Sequence, residues 1–189
     1  MFNFTQYSLH KTFFQLLGAS FKTYDPQGNL VLFASQKAFK LKEDIRLYSD
    51  ESMTTEVLTI HARNIIDFSA TYDVTDSATG QKIGALKRKG LKSMFVDEWL
   101  ILDVDDNEIG TIKEDSVFLA TVRRFLTALI PQNYDAFMKG ERVADLRQNF
   151  NPFLYKLNID FSMDTANLFD KRLGIAAGVL LAAIEGKQS

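Results

Sequence analysis

The chain has 189 residues, 46% hydrophobic and 24% charged, with no cysteine and a formal net charge of −2. That balance suits one folded domain spanning 1–189 and lies outside the disordered range. It excludes disulfides, thiolate catalysis and cysteine–metal sites, and it argues against a general nucleic-acid binder, which carries a strongly basic face.

Read from the start, Met1, Phe2, Asn3 and Phe4 lack the basic lead-in and long apolar stretch of a secretory signal, so a cytoplasmic location is expected. From about residue 5 to 162 short β-rich runs alternate with turn signals. Residues 21–24 lead into Asp25, Pro26, Gln27, Gly28 and Asn29, and 30–33 return; proline fixes one φ and glycine frees another, which predicts a turn. The unit recurs as 45–48 with 57–60, 68–74 with 82–86, 99–102 with 109–112, and 134–137 with 143–146. The joints between hairpins echo one another as well: His10, Lys11, Thr12 and Phe13 match Gln36, Lys37, Ala38 and Phe39. With a first strand near 6–10 and a last near 154–161, the prediction is a meander of about twelve strands. A sheet that long curls, splits or closes, and closing removes the edges that invite aggregation.

Two segments break the strand pattern. Over 116–130, Phe118, Val122, Phe125 and Leu129 share one helical face while Thr121, Arg124 and Thr127 lie elsewhere, with Pro131 as the stop. This predicts an accessory amphipathic helix across the barrel mouth or flank. Near the end, 173–184 is apolar without a break and bounded by Asp170, Lys171 and Arg172 before it and Glu185 and Lys187 after it. A helix apolar all round is buried in a core or in a membrane. At ~1.5 Å per residue this stretch covers about 18 Å against a hydrocarbon core of ~30 Å, too short to span. A central helix over about 168–185, plugging a closed antiparallel barrel, is the expected solution, because barrels of more than about eight strands need contents. The fold class is mainly β, with this core helix and one accessory helix.

The pattern of Tyr72, Asp73, Val74, Thr75 and Asp76 through Gly80, Gln81, Lys82, Ile83 and Gly84, and of Trp99 through Asn107, Glu108, Ile109 and Gly110, resembles the hairpins of phospholipid-scramblase and LURP-one-related proteins. The closing run Asp170, Lys171, Arg172, Leu173, Gly174, Ile175 and Ala176 is similar to their final helix. The resemblance covers nearly the whole chain. It implies the Tubby C-terminal fold, a twelve-stranded barrel around a C-terminal helix. In function it implies a non-enzymatic binding module whose relatives include binders of phosphoinositide head groups and membrane-associated proteins. The cysteine-rich and proline-rich segments of scramblases have no counterpart in this chain.

Candidate chemistry is sparse. Lys87, Arg88, Lys89 and Lys92 form the one strong basic cluster, able to hold an anionic head group at a membrane surface or to serve as a solvated strand end. Arg123 and Arg124, on the predicted accessory helix, are candidates for an interfacial contact; that helix could equally pack into a protein groove. Asp103, Asp105, Asn107 and Glu114 match four positions of a calcium loop, but Glu108 stands where glycine is needed and the flanks read as strands. The run is therefore read as a hairpin turn, with no metal and no cofactor assigned. Gly174 and Gly178 read as a tight fit under barrel side chains rather than a membrane-dimer face. His10 and His61 are the two histidines, and no G-x-S-x-G turn frames a serine. Three readings stay open: an adaptor for anionic lipid head groups, peripheral to a membrane; a structural or protein-interaction domain; and an enzyme, which would need a pocket joining one histidine to paired carboxylates.

Overall fold

The computed structural model describes residues 1–14, 18–36, 44–63, 70–89, 98–115, 131–149 and 154–184. Within them lie twelve strands and one helix: β1 (Gln6–Phe14), β2 (Gly18–Tyr24), β3 (Leu30–Gln36), β4 (Ile45–Tyr48), β5 (Glu56–Ala62), β6 (Thr71–Asp76), β7 (Gln81–Arg88), β8 (Glu98–Leu102), β9 (Glu108–Glu114), β10 (Asn133–Met138), β11 (Glu141–Asn149), β12 (Tyr155–Asp160) and α1 (Lys171–Ile184). Each strand pairs antiparallel with its neighbours in sequence, and β1 pairs with β12, so the sheet closes. The expected twelve-stranded barrel around a C-terminal helix is what forms. The accessory helix over 116–130 falls outside the described residues.

All five hairpins carry the same irregularity. The register shifts beside the turn in β2–β3, β4–β5, β6–β7, β8–β9 and β10–β11. A bulge bends its strand and increases local twist, which is what curls a twelve-stranded sheet until its edges meet. The turns repeat too. In the β2–β3 turn the Asp25 carboxylate accepts the amides of Gln27 (3.0 Å) and Asn29 (2.8 Å) and the Asn29 side chain (2.9 Å). In the β8–β9 turn Asp103 accepts from Asp105 (2.9 Å), Asn107 (2.8 Å) and the Asn107 side chain (3.0 Å) in the same way. The left-handed slot of this frame holds Gly28 in the first (φ 83°) and Asp106 in the second (φ 69°). Asp103 is thus committed to a turn, and Glu114, its partner in the calcium-loop pattern, is buried near the end of β9.

Side chains alternate along each strand, so one face fills the barrel. Leu9, Phe21, Leu32, Leu58, Ile60, Leu86, Ile101, Ile112, Leu157 and Ile159 are all buried around α1, whose residues 173–183 are buried without exception. No helix among the described residues is long and apolar enough to cross a membrane. The helix begins at Asp170, whose carboxylate accepts the Arg172 amide at 2.9 Å as an N-cap. Arg172 also reaches back to Asp76 at 2.8 Å, tying the helix start to the β6–β7 turn. At the other end the Lys11 ammonium, 2% exposed, donates to the Ala182 carbonyl at 2.6 Å. A cation there meets the negative end of the helix dipole and satisfies one of the carbonyls that the last turn leaves open.

The glycines of α1 set how closely the wall approaches. A Cβ at Gly174 would lie 2.5 Å from the Phe161 ring, and one at Gly178 would lie 2.7 Å from Ile159 Cδ1. Both face β12 and the residue that follows it, so the small-residue spacing is a seat for the sheet, as expected. Gly84 serves the same end from the wall: a Cβ there would lie 2.5 Å from the Leu102 carbonyl oxygen and 3.0 Å from Leu173.

Two substitutions test the plug. Leu180→Ala should destabilise by about 2–5 kcal/mol through lost burial and an unfilled cavity, and Leu180→Asp should leave no soluble folded protein. Gly174→Ala gains ~1 kcal/mol of helix propensity but forces the Phe161 ring to move, at a cost of about 1–3 kcal/mol. A lowered urea midpoint at unchanged slope is expected; a raised midpoint would show that the ring gives way freely.

Candidate functional site

Because α1 and the inward side chains fill the barrel, polar chemistry open to a ligand lies on the outer wall. Two outer surfaces stand out, and β-sheet alternation decides which side chains each contains.

The first lies on β7, β8 and β9. Sequence neighbours in a strand point to opposite faces, so the basic run divides. Arg88 shares the inward face of Gly84 and Leu86, and its Nε is buried; it is not part of an outer cluster. Lys87 is exposed on the outer face, and Lys89, just past the end of β7, is half-buried there with its ammonium 2.9 Å from Glu98. Lys92 falls outside the described residues, as do Arg123 and Arg124. Register supplies a residue that sequence reasoning missed. Glu98 on β8 pairs across with Lys113 on β9, whose Nζ stands 3.5 Å from the same carboxylate. Lys89 and Lys113 therefore flank one glutamate, and Lys87 stands beside them on the outer face, opposite Leu100, which leaves an excess of positive charge among these four side chains. Lys113 stands alone among non-basic neighbours, so only the strand register could reveal it.

The second surface is a groove of about 740 Å³ on β11, β12, β1 and β2, with the β2–β3 turn at its edge. Three rows of cross-strand partners line it. Asp145 faces Asp160, which faces Gln6; Arg147 faces Asn158, then Ser8, then Tyr24; Lys156 faces His10. The Ser8 hydroxyl and His10 Nε2 are 3.0 Å apart, and the His10 ring tilts against Tyr24 with centroids 4.9 Å apart. Burial, then the charge of Lys156, holds the His10 imidazole below its ordinary value, so at neutral pH it is uncharged. This groove does bring a histidine near two carboxylates. Yet those carboxylates are occupied elsewhere: Asp145 is paired with Arg142 and Arg147, and Asp160 accepts from Gln6 (2.9 Å) and from the Ser162 amide (2.7 Å). The hydroxyl of Ser8 has a base beside it, but among the described residues no carboxylate is hydrogen-bonded to that base. His61, on a different part of the wall, bonds Asp44.

Elsewhere on the exterior, charges are tied in networks. Arg63 bridges Asp73 (2.6 Å) and Asp106 (2.5 Å), and Lys82 joins the same two carboxylates. The side-chain bond from Arg63, then that from Lys82, holds the Asp106 carboxyl well below the usual range. This ties the β8–β9 turn down onto β6 and β7, and these ion pairs account for an aspartate in a left-handed slot that would otherwise suit glycine. Among the described residues no group of acidic and histidine side chains is arranged to hold a metal ion.

A family model described as LURP-one-related matches residues 30–182. A solved X-ray structure of a protein from Arabidopsis thaliana is similar over 97% of this chain and 92% of its own, with a TM-score of 0.50 and 14% identity. At that identity the likeness concerns the fold alone. No curated protein matches.

The histidine gives this geometry a pH signature. The His10 imidazole should titrate below about 6.5, and Lys156→Gln should raise its midpoint by removing a neighbouring positive charge. Since the fold favours the neutral ring, its contribution to stability is complete above about pH 6.5 and fades as the pH falls towards the folded value. Histidine-ring NMR across pH 4–8 reads both; an unchanged midpoint in Lys156→Gln would show that the ammonium points away from the ring.

Proposed function

The chain belongs to the LURP-one-related family, and from that premise we propose that it is a non-catalytic binding barrel that meets anionic lipid head groups with its outer wall. The observation that carries this reading is the filled interior. With every residue of 173–183 buried against the sheet, the helix occupies the interior, and recognition is assigned to the exterior.

The wall formed by β7, β8 and β9 supports the choice of ligand. Lys89 and Lys113 on Glu98, with Lys87 nearby on the same face, present an excess of positive charge on an otherwise slightly acidic chain. An anionic leaflet attracts each nearby lysine by about 1 kcal/mol, and the attraction fades within a Debye length, ~8 Å at physiological salt. Three lysines less one carboxylate give an association that is weak and reversible, in keeping with a peripheral contact. Lys87 contributes most in this reading, since Lys89 and Lys113 already share a carboxylate. The reading places the protein in the cytoplasm, where the anionic leaflet faces it.

Sedimentation with vesicles tests it. Recovery should rise with the anionic lipid content and fall as salt is added, and Lys87→Ala should weaken it roughly fivefold, the equivalent of about 1 kcal/mol. Equal recovery with neutral and anionic vesicles would sink the lipid reading and leave a protein-interaction barrel as its replacement.

A further inference from the structure

The groove on β11, β12, β1 and β2 stands apart from that basic wall. In the ring of strands β10 separates the two surfaces on one side and β3, β4, β5 and β6 on the other, so they are distinct patches that point in different directions. The groove has the size of a small-molecule site, ~300–1,000 Å³, and a mainly polar and charged lining with Tyr24 and Pro26 as an apolar side.

Its charges have been settled among themselves with one exception. Asp25 is saturated by the turn it caps. Arg147 is held by Asp115 (2.9 Å), Asp135 (2.7 Å) and Asp145 (3.4 Å), and Asp160 by Gln6 and the Ser162 amide. Lys156 is half-buried in the groove yet makes no hydrogen bond or ion pair with any described residue. Its positive charge therefore has no counter-charge among the described residues and is available to one that a ligand brings. Around it stand groups able to donate hydrogen bonds: the Ser8 hydroxyl, which here donates to Asn158 Oδ1 at 3.3 Å, the side-chain NH2 of Asn158, and the imidazole of His10. Tyr24 and Pro26 form the apolar side.

We propose that this groove is a binding site for a small phosphate monoester, with the phosphate oxygens bound by Lys156, Ser8, His10 and Asn158 and the organic part lying against Tyr24 and Pro26. A phosphate has three terminal oxygens, enough acceptors for an ammonium, a hydroxyl and an amide at once, and charge-assisted bonds of this kind are the strong ones. The Ser8–His10 contact is compatible with it, because a neutral imidazole protonated at Nε2 can donate to the Ser8 oxygen and leave the hydroxyl proton for the phosphate, or donate to the phosphate itself. The site would be discrete and saturable, unlike a diffuse basic wall.

The two histidines provide an internal control. In the full-length labelled protein at fixed pH and ionic strength, inorganic phosphate and O-phosphoethanolamine should move the His10 ring resonances along a saturating curve while those of His61 stay in place. Lys156→Gln should weaken the apparent affinity at least tenfold, and Ser8→Ala less, with both variants keeping the parent urea midpoint within error. Lys87→Ala should leave the titration unchanged. Equal, non-saturating movement of both rings would overturn the site, as would an unaltered curve in Lys156→Gln. Saturation by phosphatidic acid vesicles but by neither soluble phosphate would overturn the small-molecule assignment in favour of a lipid. Vesicle sedimentation on the same variants separates the two surfaces: loss of binding in Lys87→Ala alone concerns the basic wall, and loss of the His10 response in Lys156→Gln alone concerns the groove.

Discussion

A helix with no polar face survives in water only when something covers it on every side. In this chain the covering is the sheet, and the sheet in turn has no core without the helix. A barrel of twelve strands is too wide to be filled by its own side chains, so α1 supplies the missing volume, and the wall supplies the apolar surroundings. The fit is set at Gly174 and Gly178, where the wall side chains Phe161 and Ile159 come within a distance that any Cβ would violate. Each element therefore depends on the other for the burial of its apolar surface.

The same arrangement dictates how the ends are built. At the start of α1 an aspartate caps the helix and Arg172 reaches a turn of the wall. At the finish a buried lysine from β1 meets a terminal carbonyl. Charged groups inside a barrel are expensive unless they answer one another, and here the helix dipole gives the lysine a partner of opposite sign. The plug is therefore fixed lengthwise as well as radially, which a purely apolar contact, being non-directional, could not achieve.

A filled interior moves function to the outside, and there the period of two governs. Lys87 and Lys89 share an outer face while Arg88 between them turns inward, so a run that looks continuous in the sequence is divided by the sheet. Conversely, Glu98 and Lys113 are fifteen positions apart and adjacent across the ladder. The groove is assembled still more remotely, with Ser8 and His10 from the first strand meeting Lys156 and Asn158 from the last. The closure that removes exposed sheet edges is thus also what creates this pocket: β1 and β12 are neighbours only because the barrel is complete.

The architecture was legible from the residues because it rests on local, periodic signals. Alternating apolar positions, five turns rich in aspartate, asparagine and glycine, and an unbroken apolar stretch of about 18 Å each report a property of a few consecutive residues, and together they dictate a plugged barrel. The resemblance of the Tyr72–Gly84 and Asp170–Ala176 stretches to a known family pointed the same way. What the sequence determined by itself was therefore the twelve strands, their hairpin pairing and the helix that must be enclosed. What only the tertiary structure decided was the register, the bulge beside each turn, and through them which polar side chains share a surface. A shift of one residue sends a side chain to the other face, and no local signal records which partner lies across a ladder. That is why Arg88 left the basic cluster, why Lys113 joined it, and why His10, one of the two histidines of the sequence, sits beside Lys156 in a groove.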